Sequence, residues 1–159
     1  MKRTKILCKQ LLESVEKNDI ENVQKLTEEL KENVNTVIPY KNKAERDALT
    51  HAAHHGNINI AKHIVNNYGN VNVFYNNEKW NAMTEAISHR NKQMIELFLS
   101  HATLNTKQKA LDYAREEDKP DDKIINLIAE SMVNDLAPLF DLIKGINVSG
   151  DIVCDSSEY

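Results

Sequence analysis

The chain lacks the features that mark membrane proteins and disulfide-rich secreted proteins. Its 159 residues contain no run of ~18 apolar residues, the length that a transmembrane helix needs, so we expect no membrane span. Lys9 and Gln10 interrupt the basic N-terminus before a signal-peptide core forms. The two cysteines, Cys8 and Cys154, lie near opposite ends, which favours free thiols in a reducing compartment such as the cytoplasm.

Motifs of common catalytic sites are missing as well. The sequence has no Gly-rich phosphate loop, no GxSxG elbow and no HExxH pair, so we predict neither an enzyme nor a cofactor. Residues 109–159 carry 5 Lys/Arg and 12 Asp/Glu, and no dense basic patch occurs elsewhere. Because acidic surfaces repel phosphate, nucleic acid is not an expected partner. The acidic run is typical of a solvated face or of a docking surface for a basic partner.

What the sequence does contain is a pair of short amphipathic helix patterns. Leu49, Ala52 and Ala53 form one apolar stripe at helical spacing, and a second stripe consists of Ile58, Ala61, Ile64 and Val65. Gly56 lies between the two stripes, where the first helix must end, because glycine accepts a left-handed conformation without steric cost. Helices of two or three turns are unstable alone, so each needs a neighbour to cover its stripe.

A second copy of the unit supplies that neighbour. Asn81–Asn105 repeats the pattern, with Ala86 standing 34 residues after Ala52. We predict that both alanines are buried where the helices of adjacent repeats meet. The two units resemble ankyrin repeats, whose period is ~33 residues and whose usual pattern is TPLHxAAxxGHxxxVxxLLxxGAxxN. The first tetrapeptide is DALT at Asp47 and NAMT at Asn81, and Arg90 replaces the turn glycine of the second unit.

The resemblance implies an all-α fold: an α-solenoid of about four ankyrin-like helix-turn-helix repeats, short hairpin fingers and a C-terminal capping helix. We predict one domain over residues 1–145, with repeats at about 5–35, 46–73, 80–105 and 106–130, a cap at 132–145 and a flexible tail at 146–159. The fingers are 36–46 and 73–80, and the short connector 106–108 indicates that the last finger is lost. Gly145 ends the cap, which covers the end of the stack with Leu136, Leu139, Phe140 and Ile143.

Members of this family bind partner proteins through the finger tips and through the two residues before the turn glycine. The resemblance therefore implies a non-catalytic protein–protein interaction module whose concave face, formed by fingers and inner helices, binds the partner. Trp and Tyr are common interface hot spots, so we predict Trp80 and Tyr75 as anchors, unless Trp80 only packs across its own hairpin. The predicted partner-binding residues are Trp80, Tyr75, Asn77, Glu78, His54, His55, Ser88, His89, Arg46 and Lys43. The family pattern also marks Glu16-Lys17, Glu116-Glu117, Lys41 and Ala44.

Two other functions remain open. A metal-binding or metal-regulated protein would use the histidines His51, His54, His55 and His89. No Asp, Glu or Cys accompanies them at fixed spacing, so we predict no metal site. The chain is alternatively a targeting or inhibitory subunit of a larger enzyme complex. Its Lys- and Asn-rich composition is compatible with an AT-rich genome, and short members of the family in intracellular bacteria and large DNA viruses act on host proteins. A monomeric, host-directed effector delivered into a host cell is therefore one expected role.

Overall fold

The computed structural model describes residues 2–39, 41, 45–76 and 78–149. Within those residues the chain forms eight α-helices and very little sheet, so the predicted all-α repeat solenoid is confirmed. The helices are α1 Lys2–Glu16, α2 Ile20–Leu30, α3 Ala48–His55, α4 Ile58–Asn67, α5 Ala82–Ser88, α6 Lys92–Leu99, α7 Leu104–Glu116 and α8 Asp122–Ser149. A 3-10 helix, Lys31–Asn35, follows α2. None of the described helices is both long and apolar enough to cross a membrane.

The helices form four pairs that stack in chain order. α1, α3, α5 and α7 contact one another in sequence, and we call them the inner helices. α2, α4, α6 and α8 form a parallel row of outer helices. Each pair thus covers the apolar stripe of the pair before it, which is how short helices become stable in a repeat array.

Two fingers connect the first three pairs. The first finger contains the antiparallel strands β1 Ile38–Pro39 and β2 Glu45–Arg46, with Ile38 opposite Arg46. The second finger closes through a single antiparallel bridge between Tyr75 and Trp80. α7 begins only a few residues after α6 ends, so the third connection has no finger.

The residues that begin the inner helices act as N-caps. Asp47, Asn81 and Thr103 each accept a hydrogen bond from the backbone N–H three residues later, on Thr50, Thr84 and Thr106 respectively. A side-chain oxygen at this position satisfies a helix N–H that has no partner within the helix. DALT and NAMT therefore each begin with a residue that caps the following helix.

The turns inside the first three pairs share one backbone conformation. Asn18, Gly56 and Arg90 have φ angles of 56°, 69° and 52°, all in the left-handed region. Gly56 adopts it at no steric cost, as predicted, whereas Arg90 adopts it despite its side chain. The Arg90 guanidinium donates to the backbone oxygen of Lys119 at 2.7 Å, which ties this turn to the last pair.

The core runs continuously through the stack. Ala52 and Ala86 are both completely buried, as predicted, and each lies on an inner helix that contacts the inner helices of the neighbouring pairs. Two asparagines join successive repeats: the Asn35 side chain accepts from the backbone N–H of Asn70 at 2.7 Å, and the Asn72 side chain accepts from that of Thr103 at 2.8 Å. The Val-Asn ending of the first two units thus places a valine in the core and an amide between neighbouring repeats.

The C-terminal part differs from the prediction. The second helix of the last pair and the expected cap are one helix, α8, which continues through Gly145 to Ser149 and contains Pro138. One glycine costs a helix only ~1 kcal/mol, so it does not have to end one. Leu139, Phe140 and Ile143 are 45–56% exposed and do not cover the end of the stack.

Thr106–Gln108, expected as a connector, lie within α7. Of the expected tail, 146–149 belong to α8, and 150–159 lie outside the described residues.

Candidate functional site

The surface formed by the inner helices and the two fingers, here called the inner face, contains the predicted contact residues that the structure describes. Its centre is Glu85, a carboxylate on α5 that is only 2% exposed. Buried carboxylates are costly unless donors or cations surround them. The neighbours of Glu85 therefore explain how the inner face is held together.

Four side chains converge on the Glu85 carboxylate from four separate segments. The indole Nε1–H of Trp80, in the second finger, donates to Oε2 at 2.9 Å. Nδ1 of His54, on α3, lies 2.6 Å from Oε1. The Arg46 guanidinium, in the first finger, lies 3.6 Å from Oε1, and Nδ1 of His89 lies 3.7 Å from it. One buried acid thus fixes both fingers relative to two neighbouring inner helices.

The histidines of α3 form a cluster beside this acid. The ring centroids of His51 and His55 are 4.6 Å apart, those of His54 and His55 are 5.1 Å apart, and those of His54 and His89 are 5.0 Å apart. His51 is 2% exposed, and its burial lowers its pKa to about 3. Partial burial and the neighbouring His54 lower the pKa of His55 below its usual range. At neutral pH, His51 is therefore a neutral core residue.

His54, Glu85 and His89 could in principle share a metal ion, because each offers one ligand atom and these atoms lie within 4.8 Å of one another. The carboxylate that the sequence analysis did not find thus comes from the next repeat. Two contacts oppose metal binding. The Arg46 guanidinium places a positive charge next to the Glu85 oxygen, and Nδ1 of His89 lies 3.0 Å from the backbone oxygen of Glu85, where it serves as a donor. The geometry therefore favours a cluster of hydrogen bonds and ion pairs around Glu85 over a metal site.

The second finger lies against α7 through aromatic side chains. The rings of Trp80 and Tyr113 meet edge to face, with centroids 5.8 Å apart and planes at 84°. Lys109 Nζ lies 4.6 Å from the centroid of the Phe74 ring and 2.9 Å from a carboxylate oxygen of Glu78. Between finger and helix lies an open cleft of about 490 Å³, which we call the Trp80 cleft; it is lined by Glu78, Lys79, Trp80, Lys109, Asp112, Tyr113 and Glu116.

Residues 11–112 match the family model of ankyrin repeats, in three copies. The chain belongs to the ankyrin-repeat family. Comparisons with curated proteins and with solved structures give no significant match. The matched segment begins within α1 and ends within α7, so it covers most of the first three helix pairs and the start of the last one. Ankyrin repeats are generally protein–protein interaction modules and are typically non-catalytic, so this chain has the architecture of a partner-binding protein.

The structure describes eight of the ten predicted contact residues of this ankyrin-repeat chain. Trp80 and Arg46 are partly buried, and Glu78, His55 and His89 are exposed. His54 is partly buried, and Ser88 Oγ donates to the backbone oxygen of Glu85 at 2.9 Å. The hydroxyl of Tyr75 is buried, and burial raises the pKa of this tyrosine well above its usual range. Lys43 and Asn77 lie outside the described residues.

Two residues important to this face were missed by the ankyrin-based sequence analysis. Glu85 precedes His89 by four positions on one helix and stands 34 residues after His51, so repeat alignment assigns it to the same inner surface. Tyr113 lies three positions before Glu116, which the ankyrin pattern had marked. The helical spacing was available as a signal, but the contacts of Glu85 with Arg46, His54 and Trp80 are not local in sequence.

Proposed function

We propose that the chain is a non-catalytic module that binds another protein through its inner face, with Trp80 as the principal anchor. One observation carries the proposal. The only tryptophan of the chain is partly buried at the wall of an open cleft on the inner face, instead of filling the core between repeats. Tryptophan, tyrosine and arginine are the residues most often found as energetic hot spots of protein interfaces.

The surroundings of Trp80 favour this role. Its indole is held by the hydrogen bond to Glu85 and by the ring of Tyr113, so little side-chain freedom remains to be lost on binding. Polar side chains lie on the same face, and two of them, His54 and His89, approach the carboxylate that holds the indole. An apolar anchor with a polar rim is the usual composition of a transient interface.

The test is affinity capture with three versions of the chain as bait: wild type, Trp80→Ala and Lys62→Ala. Lys62 is exposed on the outer helix α4, so its removal is the matched control. A partner that is retained by Lys62→Ala and lost by Trp80→Ala supports the proposal. Because Trp80→Ala also removes a donor from Glu85, circular dichroism must show a folded bait, and Tyr113→Ala serves as a second variant. Equal recovery on folded Trp80→Ala and Tyr113→Ala contradicts the proposal.

A further inference from the structure

The Trp80 cleft combines aromatic walls with an excess of negative charge. Its volume of about 490 Å³ lies within the ~300–1,000 Å³ of typical ligand sites. A smaller cavity of about 280 Å³ adjoins it at Tyr113 and is lined by the acidic residues Glu116, Glu117 and Asp118. Together the two cavities are lined by carboxylates from five residues and by the ammonium groups of Lys79 and Lys109.

Carboxylates outnumber cationic groups on one side of the cleft. Residues 112–122 contain six acidic and two basic side chains. In the part of the chain that the structure describes, the ion pairs near the cleft use Glu78 and Asp121, and none uses Asp112, Glu116, Glu117 or Asp118. The charge of Lys109 is already offset by Glu78 at 2.9 Å. The remaining carboxylates therefore create a negative potential at the mouth of the cleft.

The aromatic walls also suit a cation. The rings of Trp80 and Tyr113 stand at 84° to each other, so they form a corner, and the faces of aromatic rings attract cations. The same finger already shows this chemistry within the chain, because Lys109 Nζ lies over the Phe74 ring and pairs with Glu78. The cleft offers an equivalent combination of ring and carboxylate to a cation from outside.

We propose that the Trp80 cleft binds a lysine or arginine side chain of the partner protein. Its aliphatic stem packs against Trp80 and Tyr113, and its charge lies next to Glu116 and Glu117. This inference rests on the proposed function, since it names the chemistry of the partner at the same face. Burying the stem while the charge keeps polar contacts is the usual behaviour of long basic side chains.

The single tryptophan makes the test direct, because its fluorescence reports on this cleft alone. The probes are four blocked pentapeptides, glycine throughout except for two positions, which hold arginine, citrulline, glutamate or phenylalanine. Citrulline keeps the shape of arginine without its charge. We expect saturable emission changes with the arginine peptide and roughly tenfold weaker binding of the citrulline peptide, the scale of one cation–π and carboxylate contact.

Variants test the acidic residues. The double variant Glu116→Gln, Glu117→Gln should weaken arginine-peptide binding roughly tenfold as well, because both residues are solvent-accessible and their carboxylates supply the charge. The matched control is Glu21→Gln with Glu96→Gln, which changes the net charge equally at exposed positions of the outer helices α2 and α6 and should leave binding unchanged.

The outcomes separate the two proposals. Saturation by the phenylalanine or glutamate peptide, with none by the arginine peptide, overturns the inference and leaves the proposed function standing. Equal affinity for the arginine and citrulline peptides, or unchanged emission with every peptide, also overturns it. Unchanged emission together with full partner capture by folded Trp80→Ala and folded Tyr113→Ala overturns the proposed function too.

Discussion

The indole nitrogen of Trp80 donates a 2.9 Å hydrogen bond to Glu85, a carboxylate that is almost completely buried. This bond joins the proposed anchor residue to the carboxylate at the centre of the inner face. His54 and Arg46 reach the same carboxylate from other segments. One almost fully buried acidic side chain therefore joins three separate segments of the inner face.

Glu85→Ala should strongly destabilise the fold. The substitution removes the carboxylate that pairs with the Trp80 and His54 donors and with the Arg46 charge. Breaking a buried ionic cluster in this way costs roughly 3 kcal/mol or more. The measurement is the free energy of unfolding in urea. Glu96→Ala, exposed on α6, is the control and should lie within ~0.5 kcal/mol of wild type. A similarly small effect of Glu85→Ala would show that the cluster contributes no stability.

Ala52→Leu should cost ~1–3 kcal/mol by overpacking the crossing between inner helices, since Ala52 has no exposed surface. Thermal unfolding gives the change in midpoint. Lys62→Leu places the same leucine side chain at an exposed site of the same repeat and should have little effect. An unchanged midpoint for Ala52→Leu would mean that the helix crossing accommodates a leucine without overpacking.

His51 should make the protein less stable in acid. Its unfolded pKa is near 6.5 and its folded pKa is about 3, so the stability it contributes is complete above pH 6.5 and is lost as pH falls toward 3. The slope from one such group is at most ~1.4 kcal/mol per pH unit. Asp47 acts in the opposite sense between pH 6 and 3.8, because burial raises its folded pKa to about 6.

The comparison that isolates His51 is the pH dependence of unfolding free energy for wild type and His51→Gln, since Asp47 is common to both. The difference between the two should change by more than 1 kcal/mol between pH ~6.5 and ~4. Parallel curves over that range would show that His51 is not neutral in the folded state.

Zinc should not bind with sub-micromolar affinity at His54, Glu85 and His89. The Arg46 guanidinium lies 3.6 Å from a carboxylate oxygen of Glu85, and it would repel a second cation bound there. Calorimetry of protein without a histidine tag is the measurement. A stoichiometric, sub-micromolar isotherm that His54→Ala or His89→Ala abolishes would contradict this account and revive the metal-binding alternative.

Much of the architecture follows from local sequence. The stripes of α3 and α4, the left-handed turn at Gly56 and the buried Ala52 and Ala86 all depend on spacing within one repeat or between adjacent copies. Such patterns are visible in a single sequence because helical periodicity is a local property.

The inner face was harder to predict because its decisive contacts join residues far apart in the chain. Arg46 and Glu85 are separated by more than one repeat, and nothing in either neighbourhood marks them as partners. The extent of α8 was missed for a different reason. Gly145 and Pro138 are weak signals when the surrounding residues favour helix, and the helix continues through both.

The central claim is that the inner face around Trp80 binds the partner protein. Its most direct test is a binding titration of the captured partner with wild type, Trp80→Ala and Lys62→Ala, with circular dichroism as the folding control. The account predicts that Trp80→Ala weakens binding by ~2 kcal/mol or more while Lys62→Ala has almost no effect. Full affinity in a folded Trp80→Ala protein would contradict it.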